Sequence, residues 1–110
     1  MDRDYDQPEP TRDDVDGWAG PAVLESGADW CGICAAAQPR IEEALSGFPG
    51  VRHRKVADGP GRPLGRSFRV KLWPTLVFLR DGVEVARVVR PATADEVRAG
   101  LAAISEGGHC

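Results

Sequence analysis

Two cysteines three positions apart, Cys31 and Cys34, stand in the run Trp30-Cys31-Gly32-Ile33-Cys34. Such a pair suits thiol–disulfide chemistry or supplies half of a metal site. The residues before it, Gly27-Ala28-Asp29, read as a strand-to-helix turn, so Cys31 falls at a helix start. Unpaired amide groups and the positive end of the helix dipole there favour a thiolate, the nucleophilic form of the side chain. Cys34 lies one turn further in on the same side, within disulfide reach, and is placed to resolve a mixed disulfide rather than to begin one. Gly32 keeps the approach to Cys31 open. The pair alone does not choose between redox and metal chemistry. His109 and Cys110 could complete a set of three cysteines and one histidine, but a chain-end pair lacks the knuckle spacing of a zinc site. Cys110 otherwise reads as a terminal thiol through which oxidation could join two chains.

The elements that must hold this pair follow from the pattern around it. Thr11 with Asp14 forms a capping-box-like start for a short helix over 12–18. Pro21-Ala22-Val23-Leu24 reads as a buried strand ending near Glu25 and Ser26. The helix carrying the cysteines runs from Gly32 to Ser46, with Pro39 inside it as an expected kink and Gly47 as its stop. Residues 51–56 form a second strand, 58–63 turn material crowded with Gly and Pro, and 64–68 a short helix. Leu76-Val77-Phe78-Leu79 is a continuous apolar run, as a central strand requires. Directly before it, Trp73-Pro74-Thr75 holds a proline at a tight turn, where a cis bond is expected after Trp73. Asp81-Gly82 is a hairpin signal that returns the chain over 83–89. Thr93 and Glu96 then cap a helix through Ile104, which Gly107 and Gly108 end. The order implies a mixed sheet of four or five strands with helices on both faces.

With 110 residues the chain is one domain. Its expected layout is an acidic tail over 1–10, the domain over 11–105 and a flexible tail over 106–110. Apolar and charged fractions of 42% and 28% exclude disorder throughout. No apolar run approaches the roughly 18–20 residues of a membrane span, and the N-terminus shows neither the basic nor the apolar region of a secretory signal. A cytoplasmic protein without membrane contact is the expectation. The net charge of −3 argues against a general nucleic-acid binder. Charge is uneven: residues 1–20 hold seven acids against two arginines, and residues 52–71 hold seven lysines and arginines against Asp58. The two stretches read as faces that attract each other, or as a basic patch steering an acidic partner. Three cysteines cannot form a stapling framework, and in a cytoplasmic setting the C-x-x-C spacing means redox chemistry or half a metal site rather than structural cross-linking.

The combination of W-C-G-x-C, Pro39 five residues further on, x-P-T before the apolar strand and the D-G hairpin resembles the thioredoxin family in order and spacing, over residues 11–105. The resemblance implies a thioredoxin fold and thiol–disulfide exchange. It makes Cys31 the attacking thiol, Cys34 the resolving thiol and Pro74 the cis-proline of the groove. Glu25 matches the family's buried acid and Lys55 the lysine that pairs with it. The expected substrate surface is Trp30, Gly32, Ile33, Trp73, Pro74 and Thr75, with the main chain of Trp73 and Thr75 placed to pair with an extended substrate. No metal or organic cofactor is expected beyond the redox-active Cys31–Cys34 disulfide. The implied partners are disulfide-containing proteins and a separate reductase as electron donor, met by a monomer. This chain departs from the family's usual pattern at Ile33, which stands where proline or histidine is common, at Gly27 for an aromatic, at Trp73 for a small aliphatic, and at Arg90-Pro91 for a glycine-containing stretch. Because Ala22–Leu24 is apolar, Glu25 is expected beneath the cysteine-bearing helix, where desolvation favours its neutral form. Replacing it by Gln should slow resolution and stabilise the protein at neutral pH. The rival readings are a non-catalytic partner-binding module on the same fold and a metal- or cluster-bridged dimer through Cys31 and Cys34.

Overall fold

Thr11 opens the first element as predicted. Its hydroxyl accepts the Asp14 N–H at 3.0 Å while the Asp14 carboxylate accepts the Thr11 N–H at 3.0 Å, a reciprocal cap that satisfies two donors a helix start leaves open. The computed structural model describes residues 9–59 and 61–105. The expectations for residues 1–8, Pro60, Gly107, Gly108, His109 and Cys110 fall outside the described residues. In chain order the elements are α1 (Arg12–Asp16), β1 (Pro21–Gly27), α2 (Gly32–Leu45), β2 (Arg52–Ala57), α3 (Pro63–Ser67), β3 (Thr75–Arg80), β4 (Val83–Val89) and α4 (Ala94–Ser105).

The strands form one four-stranded sheet, in the order β2-β1-β3-β4, among the described residues. β1 runs parallel to β2 and antiparallel to β3, and β3 is antiparallel to β4. Both central strands are buried on both faces, which explains why they read as unbroken apolar runs rather than as alternation. On one face Val23, Leu76 and Phe78 pack against Ala37, Ile41 and Ala44 of α2 and Val97, Leu101 and Ile104 of α4. On the other, Ala22, Leu24, Val56, Val77 and Leu79 pack against Val15 of α1, Leu64 of α3 and Phe68.

Several boundaries differ from the sequence expectation. β1 continues through Glu25 and Ser26 to Gly27, because both polar residues are fully buried and paired with neighbouring strands. α1 stops at Asp16 and α2 at Leu45, while β2 and α3 are each displaced by a residue. Pro39 lies within a continuous α2. Before α1, a Glu9 carboxylate oxygen accepts the Leu64 N–H at 3.1 Å and holds the chain on α3. Residues 1–20 and 52–71 also touch through one arginine from each stretch. Arg12 donates to the Ser67 carbonyl at 2.8 Å and lies 3.8 Å from the centre of the Phe68 ring, and Arg52 covers Trp18 at 4.8 Å.

The β3–β4 hairpin turns through Asp81 and Gly82, both in the left-handed region at φ 53° and 80°. That is the geometry of a tight primed hairpin turn, and it explains the D-G signal. Asp81 is further held by Gly20, whose N–H it receives at 2.8 Å.

Candidate active site

Cys31 is the N-cap of α2. Its extended backbone (φ −84°, ψ 115°) turns the chain out of the loop after β1, and its sulfur accepts the Cys34 N–H at 3.2 Å. A cap normally offers oxygen to these open donors; here a thiol sulfur takes that place, so negative charge on it is met by an amide and by the helix dipole. Cys31 is half-buried and Cys34 only 1% exposed, and both are free thiols. One thiol thus reaches a partner while the other waits behind it. Apart from its chain neighbours and the backbone of α2, no atom of the described residues lies within 4 Å of where a Gly32 Cβ would stand, so the space beside Cys31 is open.

An aromatic wall rises beside the thiol. Trp30, 80% exposed, meets Trp73 edge-on with ring centroids 5.3 Å apart. Trp73 is anchored from below by its indole N–H, which donates to Asp58 at 2.9 Å, and Asp58 is tied to β1 by donating its N–H to the Gly27 carbonyl. The Asp58 carboxyl fills the space that a side chain on Gly65 would need. The Trp73–Pro74 peptide bond is cis, as the sequence predicted. Pro74 is buried, and its carbonyl accepts the Arg90 N–H at 2.9 Å. The Arg90 side chain donates from Nε to the Trp73 carbonyl at 2.8 Å. Arg90, at φ 51°, therefore clamps the proline loop to the end of β4.

Thr75 does not belong to the substrate surface. It is fully buried, lies between Ser26 and Val89 in the two ladders, and donates its hydroxyl to the Leu72 carbonyl at 2.6 Å. It closes the turn from inside. Beside the start of α2, a cleft of about 360 Å³ is lined by Gly32, Ile33, Ala37, Arg40, Arg90 and Pro91 among others. Ile33, 46% exposed, forms part of its apolar lining.

Glu25 sits under α2 as expected and is fully buried. Its Oε2 accepts the Gln38 side-chain amide at 2.7 Å, and the same amide nitrogen reaches the Cys34 carbonyl at 3.1 Å. Its Oε1 lies 2.8 Å from His53 Nε2. Lys55, 4% exposed, stands opposite Glu25 in the β1–β2 register and on the same sheet face as His53. The sequence reading named Glu25 and Lys55 but missed His53, Gln38 and Asp58. The alternation of β2 could have found His53, since it must share a face with Lys55 two residues on.

The comparisons with known proteins decide the family. The family model for thioredoxin matches residues 9–103. The chain belongs to the thioredoxin family. Reduced thioredoxin 2 from Pseudomonas aeruginosa PAO1 is 55% identical, with a TM-score of 0.85 over 98% of this chain and 100% of that one. The thioredoxin of Chlamydia pneumoniae is 32% identical over 71 residues, 64% of this chain and 70% of its own. An H-type thioredoxin from Fagopyrum esculentum is 33% identical over 67 residues, 61% of this chain. The chain spans about half the length of the plant thioredoxins it matches: 58% of the Fagopyrum protein, 49% and 55% of two from Oryza sativa. As a thioredoxin-family chain, it carries the cysteine pair, the cis-proline and a buried acid in one neighbourhood, with Glu25 paired to His53 beneath α2. No helix among the described residues is long and apolar enough to cross a membrane.

Proposed function

We propose that this chain is a thiol–disulfide oxidoreductase that reduces disulfides in partner proteins, with Cys31 as nucleophile and Cys34 as resolving thiol. The observation that carries the reading is the Cys31 sulfur on the open end of α2, accepting the Cys34 N–H, with Cys34 buried one turn behind it. The Cys31 thiolate attacks one sulfur of the partner disulfide, and the other leaves as a thiolate and takes a proton from water. Cys34 then loses its proton and attacks the Cys31 sulfur. The partner departs reduced, and the two electrons it gained are balanced by the new Cys31–Cys34 bond. The chemistry needs no group beyond the two thiols, and a separate reductase must return the electrons.

Trp30, Gly32, Ile33, Trp73 and Pro74 form the surface on which an extended partner segment lies. Arg90 occupies the Trp73 carbonyl, so a partner strand pairing there shares or displaces that guanidinium. Thr75 contributes by shaping the loop. Glu25 accepts the Cys34 proton, and Lys55 supplies positive charge on the same face. The protein works as a cytoplasmic monomer on protein disulfides.

The test is turnover in insulin reduction with dithiothreitol as electron source, run on the parent and on Cys31→Ser. Loss of at least roughly a hundredfold in the variant, with an unchanged circular dichroism spectrum, is expected. Equal rates would support a non-catalytic binding module instead.

A further inference from the structure

The carboxyl of Glu25 is sealed from solvent, yet a proton acceptor that serves every turnover must pass its proton on. The groups around it come from three elements. β1 contributes Glu25 itself, and β2 contributes His53 and Lys55 on the same face. α2 contributes Cys34 and Gln38, with exposed Glu42 one turn beyond. Both carboxylate oxygens are engaged in opposite directions. Oε2 is held by Gln38, which also grips the Cys34 carbonyl, and Oε1 meets His53 Nε2 at 2.8 Å. Glu25 is 0% exposed, Lys55 4%, and the His53 side chain 16%. β2 is an edge strand of the sheet among the described residues, and the imidazole touches the sealed acid while keeping part of its own surface in water. An imidazole can receive a proton on one ring nitrogen and release one from the other near neutral pH, which an ammonium or an amide cannot.

We propose that His53 is the proton outlet of the site, a positioning residue that acts on resolution through Glu25. This inference rests on the oxidoreductase reading above. When Cys34 attacks, its S–H bond breaks, the Cys31–Cys34 bond forms and the bond from Cys31 to the partner sulfur breaks, with the electron pair leaving on the partner. The proton passes to Glu25, then from Oε1 to His53 Nε2, while Nδ1 releases a proton to water. In the return direction the same chain carries a proton inward to the Cys34 thiolate. In the forward direction the dithiol loses two electrons and the partner disulfide gains them; in the return direction the separate reductase supplies the two electrons.

The experiment measures two steps separately in the parent, His53→Gln and His53→Ala: attack by Cys31 on a small aromatic disulfide, and resolution of a preformed Cys31–peptide mixed disulfide. Glutamine sets an amide nitrogen near the Nε2 position and keeps a donor for Glu25 but carries no titrating proton. Resolution in His53→Gln should slow by roughly tenfold or more, less than the roughly 10²–10⁴-fold of a group that exchanges the reacting proton directly, because His53 acts through Glu25. Its pH profile across roughly pH 5–9 should lose an inflection, and added imidazole should restore part of the rate in His53→Ala. Attack by Cys31 should change far less. Resolution in His53→Gln with the parent's rate and pH profile overturns the relay while leaving the oxidoreductase reading intact. A parent that forms no mixed disulfide at all overturns both. Should the variants fail to fold, the His53 ring is titrated by NMR in the parent's dithiol and disulfide forms. A shift of its midpoint between the two is expected, and identical midpoints overturn the proposal.

Discussion

Cys31 and Cys34 are the same residue type one helical turn apart, and only their surroundings divide their roles. The N-cap position gives Cys31 an amide donor and an open approach, whereas Cys34 is closed in beneath α2. The buried acid behind them is not a lone desolvated charge. Its contacts with His53 and Gln38 change one expectation drawn from sequence, that neutralising it would stabilise the fold. Replacing Glu25 by Leu leaves buried polar partners unmatched and is expected to lower stability by about 1–3 kcal/mol, read as the denaturation midpoint. Glu25→Gln, which keeps an acceptor, should fold with a smaller loss and slow resolution more than first attack. A higher midpoint for Glu25→Leu at neutral pH would show the network contributes nothing. The cysteines, Pro74 and Glu25 were legible because a motif or an apolar run marks each of them. His53 and Asp58 were not, because each acts through a contact far along the chain: His53 with Glu25, Asp58 with Trp73. Thr75 was expected to pair its main chain with a substrate, yet the first position of a central strand is enclosed by both neighbouring strands.

The elements deliver these residues through a few close approaches. Gly100 lets α4 lie against β3, since a Cβ there would overlap the Phe78 ring. An alanine in mid-helix ordinarily gains up to about 1 kcal/mol over glycine, but overpacking a closed core costs about 1–3 kcal/mol. Gly100→Ala should therefore destabilise, and a raised melting temperature would contradict the packing described. On β4, Arg87 pairs with Glu84 at 2.6 Å and also donates to the Phe68 carbonyl at 2.8 Å, tying the outer strand to the end of α3. The hydrogen bond from Arg87 holds the Glu84 carboxyl below its usual value of 4.5. Because the folded value is depressed, the contribution is present above that range and fades as pH falls through it. The pair is partly exposed, so its worth is below about 1 kcal/mol. Glu84→Gln should lower the melting temperature slightly near neutral pH, with the gap closing as pH falls below the usual carboxylate range; a gap independent of pH would contradict this. The pattern of caps, apolar runs and turn signals assigned every described element its type. It misplaced the end of β1 because Glu25 and Ser26, polar in sequence, are buried in the middle of the sheet.

At the scale of the whole molecule, one sheet separates two apolar layers, and the active site lies where the strand ends, the N-terminus of α2 and the proline loop converge. α2 and α4 close one face over Val23, Leu76 and Phe78, while α1 and α3 close the other over Leu24, Val77 and Leu79. Cys31 belongs to neither layer, so the protein can exchange its sulfur bonds without opening its core. The account stands most directly on the order of events at the two thiols. The decisive measurement uses Cys34→Ser, mixed with a disulfide-linked peptide and analysed intact by mass spectrometry without reductant. The account predicts one peptide per chain, attached at Cys31 and persisting, with release only when dithiothreitol is added; Cys31→Ser should capture none at Cys34 on the same timescale. Attachment at Cys34 in Cys31→Ser at an equal rate, or no adduct on Cys34→Ser, would contradict it.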